Sequence, residues 1–189
     1  MEQLNFENLS ATYNIRKLGK EDQVKSFDCE DTDLNDFILN ESPYYRQAML
    51  AVSYVVEKKT GEPEVIAYFS LANDKVSITD FENKTEFNRF RRSRFVNEKR
   101  LKSYPAAKLC RFGVDKSAKG KAIGSFLLDF IKSYFIEDNK TGCRFITVDA
   151  YAAAVPFYLK NGFTPLTDND KDDPTRLLYF DLGDIADSL

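Results

Sequence analysis

Apolar and polar positions along the chain change their period several times, and each change marks an element. Tyr13-Asn14-Ile15-Arg16-Lys17-Leu18 alternates as a half-buried strand does. Asp31-Thr32-Asp33 offers capping side chains to a helix whose Leu34, Phe37 and Ile38 fall at i, i+3 and i+4. Ser42-Pro43 restarts a helix to about Leu50, with Ser42 as cap and proline in the first turn. Two β-rich runs, Ala51 to Glu57 and Glu64 to Leu71, flank a Gly- and Pro-containing loop and predict an antiparallel hairpin. Leu109 to Val114 reads as a buried strand, and Ile123, Phe126, Leu127, Phe130, Ile131, Tyr134 and Phe135 form a helical stripe facing a core. Arg144 to Ala150 is the next strand, completing a β-α-β unit. Tyr151 to Asn161 is helical, Phe163 to Leu166 starts a strand, Asp168 to Pro174 is an acidic loop and Thr175 to Leu182 closes as a strand.

Residues 1–12 read as a poorly tied tail and 74–107 as a charged, irregular, partly helical insertion, with Pro105 preceding the Leu109 strand. The 189 residues suit one domain with a real core, and 43% hydrophobic content without low-complexity tracts is that of an ordinary globular chain. No apolar run has the length of a membrane span, the N-terminus lacks a signal-peptide pattern, and Cys29, Cys110 and Cys143 are odd in number and scattered. The expectation is a cytoplasmic protein with free thiols and no membrane partner. A formal charge of −3 opposes nucleic-acid adhesion by the surface as a whole, although local charge differs.

Zero histidines exclude Ser-His-Asp and Cys-His catalysis, His-ligated zinc and an imidazole base. Proton transfer falls to carboxylate, tyrosine, lysine, cysteine or water. Between the Leu109 strand and the apolar helix lies Lys119-Gly120-Lys121-Ala122-Ile123-Gly124-Ser125. A turn of small residues opening a helix lets backbone N–H groups and the positive dipole end converge on an anion, and a nucleotide pyrophosphate is the natural ligand. Downstream, Ala154-Val155-Pro156-Phe157-Tyr158-Leu159-Lys160-Asn161-Gly162-Phe163 ends a helix at an Asn-Gly stop.

Together these motifs resemble the GNAT superfamily of acyl-CoA N-acyltransferases, from about Tyr13 to Asp181. The superfamily's turn has Gln or Arg, two residues, Gly, one residue, then Gly or Ala; here Lys119 stands first, Ala122 replaces the first glycine, and Gly124 follows. The Phe157-Tyr158 helix end is similar to the superfamily's A-x-x-F-Y-x-x-x-G-F, although the asparagine many members carry early in this helix is missing from Tyr151-Ala152-Ala153.

The resemblance implies an α+β fold: one domain with a central mixed, largely antiparallel sheet flanked by helices and splayed at a cofactor cleft. It implies acetyl-CoA as acetyl donor and no metal. Phe112, Gly113 and Val114 would pair with the pantetheine arm; Lys119, Gly120, Lys121, Ala122, Ile123, Gly124 and Ser125 would cradle the pyrophosphate. Tyr158 would be the general acid that protonates the leaving thiolate after direct attack by a primary amine. Asp149 and Asp74 are candidate bases, each more ordinarily a solvated carboxylate, and Lys116 joins the lysines about the turn.

A narrower likeness, Phe27-Asp28-Cys29, Leu34, Phe37-Ile38 and Val65 to Leu71, is to the subgroup containing acetyltransferase toxins of toxin–antitoxin modules, which acetylate charged tRNA. The main expectation is a small-molecule or peptidyl amine acceptor, toward which the four aspartates of Asp168–Asp173 would steer a cation. The alternatives are a toxin with tRNA and antitoxin partners, for which the basic run from Arg89 to Arg94 and on through Lys99-Arg100 speaks, and a non-catalytic CoA-binding or interaction module. The sequence leaves the oligomeric state open, a homodimer included.

Overall fold

The structure, a computed structural model, describes residues 11–61, 64–95, 101–137 and 141–186. The seven strands are β1 (Tyr13–Lys17), β2 (Val52–Lys58), β3 (Val65–Ser77), β4 (Ser103–Val114), β5 (Phe145–Tyr151), β6 (Thr164–Pro165) and β7 (Thr175–Asp181). The helices are α1 (Thr32–Asp36), α2 (Ser42–Gln47), α3 (Lys84–Arg92), α4 (Ile123–Glu137), α5 (Val155–Lys160) and α6 (Gly183–Ala186). The hydrogen-bonded order is β1-β2-β3-β4-β5-β7-β6, an open mixed sheet of α+β type. β1/β2, β2/β3, β5/β7 and β6/β7 are antiparallel, whereas β4 and β5 are parallel through Ala106↔Phe145, Ala107↔Ile146 and Lys108↔Thr147. The long helix α4 lies in the connection between these parallel strands, which no tight hairpin could join.

The chain forms two compact units, residues 1–72 with 109–131, and residues 73–108 with 132–189. In the first, Leu18, Val24, Phe27, Phe37, Ile38, Val55 and Tyr68 make the core. Asp31 caps α1 by accepting from the Leu34 N–H. The helix does not stop there: a π turn, Phe37–Glu41, carries it into α2. Ser42 therefore caps nothing, contrary to expectation, and its hydroxyl donates back to the Ile38 carbonyl at 3.1 Å. The reason is Pro43, which has no N–H to give and a ring that crowds the preceding turn; widening that turn, with the Ser42 N–H bonded to the Phe37 carbonyl, keeps the helix continuous.

In the second unit Val76, Phe81, Phe87, Tyr104, Phe145, Leu166 and Tyr179 are the core. The irregular insertion expected over 74–107 is shorter than predicted. β3 continues to Ser77, and β4 begins at Ser103, so Pro105 lies inside a strand instead of before it. Proline lacks only the donor; the Pro105 carbonyl still accepts from the Arg144 N–H at 2.9 Å. Between the strands Asn83 caps α3 through the Thr85 and Glu86 N–H groups. Residues 96–100, which hold Lys99-Arg100, and residues 1–10 of the expected tail lie outside the described residues.

Phe87 and Phe90 point α3 into this core, and Arg94 follows them inward. Its guanidinium pairs with the buried Asp181 carboxylate at 3.0 Å, which Arg144 meets from its other oxygen at 2.7 Å. A Cβ on Gly183 would come within 2.1 Å of the Arg144 guanidinium carbon, so that glycine makes room for the triad. The basic run is thus divided: Arg89 and Arg92 are exposed, and Arg94 is an internal counterion. No helix among the described residues is long and apolar enough to cross a membrane.

Candidate functional site

The expected phosphate turn belongs to the first unit. Asp115 follows β4 and accepts from the Ser117 N–H, opening a short 3₁₀ turn over Lys116–Ala118. Gly120 has φ +75°, with nothing within 4 Å of where a Cβ would stand. Ala122 has φ 55°, a left-handed conformation that costs a residue with a Cβ about 1 kcal/mol or more. That is the position where the superfamily pattern has glycine. α4 then starts, anchored by the buried Ile123, and its first turn leaves the N–H groups of Ile123, Gly124 and Ser125 without partners inside the helix. A cationic loop, an open glycine and the N-terminus of a 15-residue helix fit a diphosphate.

Sequence reasoning noticed Phe27-Asp28-Cys29 only as a family likeness. In the structure this segment braces the turn. The Asp28 N–H donates to Asp115 Oδ2 at 2.9 Å, and the Lys116 N–H donates to the Asp28 carbonyl at 2.9 Å. The Asp28 carboxylate accepts from Lys116 Nζ at 2.7 Å, the Glu30 N–H at 2.9 Å and Asn35 Nδ2 at 3.0 Å. These donors, Lys116 first, hold its pKa down at about 2. Lys119 is likewise ion-paired, with Glu30 at 2.5 Å, while Lys121 is exposed. Two of the lysines expected to face phosphate therefore already have carboxylate partners.

Phe112, Gly113 and Val114 end β4. Gly113 is buried, and a Cβ there would lie 2.9 Å from Tyr68 Cε1 and 3.1 Å from Phe27 Cζ. Those two rings pack edge to face at 5.1 Å, and the Tyr68 hydroxyl donates to the Leu34 carbonyl at 2.7 Å. Packing alone requires this glycine.

Tyr158 belongs to the second unit. Pro156 sits in the first turn of α5, Asn161 caps its end and Gly162 leaves it at φ +83°. The helix begins later than expected, since Tyr151 ends β5 and Ala152–Ala154 form a 3₁₀ turn. Lys132 fixes the end of α5 by donating to the Asn161 carbonyl at 2.9 Å. Tyr158 is 6% exposed, packed against Phe157 and Phe163. Its hydroxyl makes no hydrogen bond among the described residues, and burial raises its pKa above the ordinary tyrosine value. A protonated phenol whose proton is committed to no protein acceptor can donate to a ligand.

The other expected groups are engaged. Asp149 pairs with Lys108 at 2.5 Å, and Asp74 accepts from the Thr147 hydroxyl at 2.5 Å. In the acidic loop, Arg176 pairs with Asp168 at 3.0 Å and Asp170 at 3.3 Å, which leaves Asp172 and Asp173 as its aspartates without an Arg176 partner. Cys143 precedes β5, and burial pushes its thiol up to about 11. No cluster of residues able to hold a metal occurs among the described residues.

Residues 92–179 match the family model described as an acetyltransferase (GNAT) domain. No curated protein matches the sequence. Among solved structures, a tyrosine-to-phenylalanine mutant of KacT superposes with a TM-score of 0.74 at 19% identity, over 94% of this chain and 99% of that one. AtaTR bound with AcCoA gives 0.73 at 21% identity, over 93% and 96%. AtaT complexed with acetyl-methionyl-tRNAfMet gives 0.69 at 20% identity, over 92% and 96%. The chain has the fold of these KacT and AtaT structures, and its residues 92–179 match an acetyltransferase (GNAT) domain.

Proposed function

We propose that the protein, acting as one domain over residues 1–189, moves an acetyl group from acetyl-CoA to the α-amine of an aminoacyl-tRNA, as the toxin of a toxin–antitoxin pair. The observation that carries this reading is the extent of the likeness to KacT and AtaT: it covers more than nine-tenths of both partners in each superposition. Pairing of Asp168 and Asp170 with Arg176 favours it too, because that loop presents less negative charge to a phosphate backbone than its sequence implies.

Acetyl-CoA supplies an activated thioester. On the protein side, the N–H groups of Ile123, Gly124 and Ser125, with Lys119, Gly120, Lys121 and Ala122, hold the pyrophosphate. Phe112, Gly113 and Val114 pair with the pantetheine arm, and one N–H polarises the thioester carbonyl, a contribution of about 3 kcal/mol to the barrier. The neutral amine attacks directly, the C–S bond breaks as Tyr158 gives its proton to the departing thiolate, and the proton shed by the new amide nitrogen returns through water to the Tyr158 phenolate.

The test is to incubate the protein with acetyl-labelled acetyl-CoA and a panel of charged tRNAs, free amino acids, polyamines and peptide amines. Label on aminoacyl-tRNA alone is the expected outcome. Label on free or peptidyl amines instead would restore a small-amine acceptor, and binding without transfer to any of them would make the protein a CoA-binding module.

A further inference from the structure

The loop that braces the phosphate turn also places a competing anion on it. Glu30 has φ 68°, a left-handed conformation unfavourable for a residue with a Cβ. It is held there from both sides. Its N–H donates to Asp28 Oδ1 at 2.9 Å, and the following Asp31 is fixed as the cap of α1. Asp28 is itself tied to Lys116, Asn35 and Asp115. The outcome of this pinned backbone is a single ion pair, Glu30 Oε2 to Lys119 Nζ at 2.5 Å, on the residue that opens the phosphate-turn motif. The Glu30 and Lys119 side chains are 63% and 49% exposed, so solvent and solutes reach both.

Resting on the acetyl-CoA reading above, we propose that Glu30 is an affinity-setting residue: its carboxylate holds Lys119 until the donor's pyrophosphate takes that lysine over. Phosphate oxygens offer a lysine more charge than a carboxylate does, and the helix N-terminus beside Lys119 favours the same anion. Binding then exchanges one ion pair for another instead of adding one, and the displaced Glu30 carboxylate returns to water. Asp28 has the opposite role. Its bonds fix the backbone of the turn, so it supports binding while its neighbour opposes it.

Calorimetric titration with acetyl-CoA tests this, because the two acidic neighbours have opposite expected effects. Glu30→Gln should tighten acetyl-CoA about twofold to fivefold at low ionic strength, the range of one exposed ion pair. The gain should shrink as salt is raised. It should persist with 3′-dephospho-CoA, which keeps the pyrophosphate, and vanish in a Lys119→Gln background. Asp28→Asn should weaken binding. An unchanged or weaker Glu30→Gln, a gain that survives without Lys119, or a gain lost with 3′-dephospho-CoA would each overturn the assignment. Failure of the wild-type protein to bind acetyl-CoA at all would instead overturn the donor reading on which it rests.

Discussion

Replacing Tyr158 by phenylalanine separates chemistry from architecture, because the hydroxyl and the ring do different things in this structure. The ring is 6% exposed and packs against Phe157 and Phe163 at centroid distances of 5.2 and 5.4 Å. Phenylalanine keeps those contacts. The hydroxyl has no hydrogen bond among the described residues, so deleting it breaks none, and stability should stay within about 0.5 kcal/mol. The proton it would donate is worth a rate factor of roughly 10²–10⁴, or about 3–5 kcal/mol of barrier. The expected result is a kcat lower by that factor, an unchanged acetyl-CoA Kd and an unchanged urea midpoint, read by single-turnover acetyl transfer, calorimetry and denaturation. Burial also gives the pH dependence a sign. Because the folded-state pKa is raised above 10.0, the folded tyrosine stays neutral where the unfolded one ionises. Its contribution to stability is therefore complete below pH about 10 and lost above it, and the phenylalanine variant should lose less there. A kcat within threefold of wild type would refute the general-acid role and leave Tyr158 as a packing residue.

Three further outcomes are expected. Ala122→Gly removes a left-handed alanine at φ 55° and should stabilise the fold by about 1 kcal/mol, raising Tm by a few degrees; a lower Tm would mean that the methyl group packs better than its backbone suffers. Asp181→Ala leaves the Arg94 and Arg144 guanidiniums facing each other without their carboxylate. Since they retain 22% and 28% exposure, the loss in urea denaturation should fall near the lower end of the 3–5 kcal/mol typical of a broken buried pair. The depressed Asp28 pKa, about 2 against 3.8, means that its contribution is present above pH about 4 and lost as pH falls toward 2, so the wild-type melting temperature should fall more steeply over that window than that of Asp28→Asn.

Much of the fold was legible in the chain. The stripe from Ile123 to Phe135 lies within α4, β2 and β3 pair antiparallel, and the Asn161-Gly162 stop ends α5 where expected. These features were legible because turn chemistry, caps and periodicity are set by residues within a few positions of one another. Where the sequence reading erred, a non-local partner or a local compromise intervened. Pro105 suggested a boundary, yet its carbonyl serves Arg144; Ser42-Pro43 suggested a new helix, yet a π turn absorbs the proline.

The sequence by itself determined the element order, the small-residue turn before α4 and the Asn161-Gly162 stop that ends the helix of Tyr158. Only the tertiary structure decided which charges are free. It spends Arg94 on Asp181, Lys116 on Asp28, Lys119 on Glu30 and Arg176 on the acidic loop. Those partners stand as many as 89 positions apart along the chain. A charge run looks the same in sequence whether it is solvated or paired, because pairing depends on which segments the sheet and its connections bring together, and that is a property of topology.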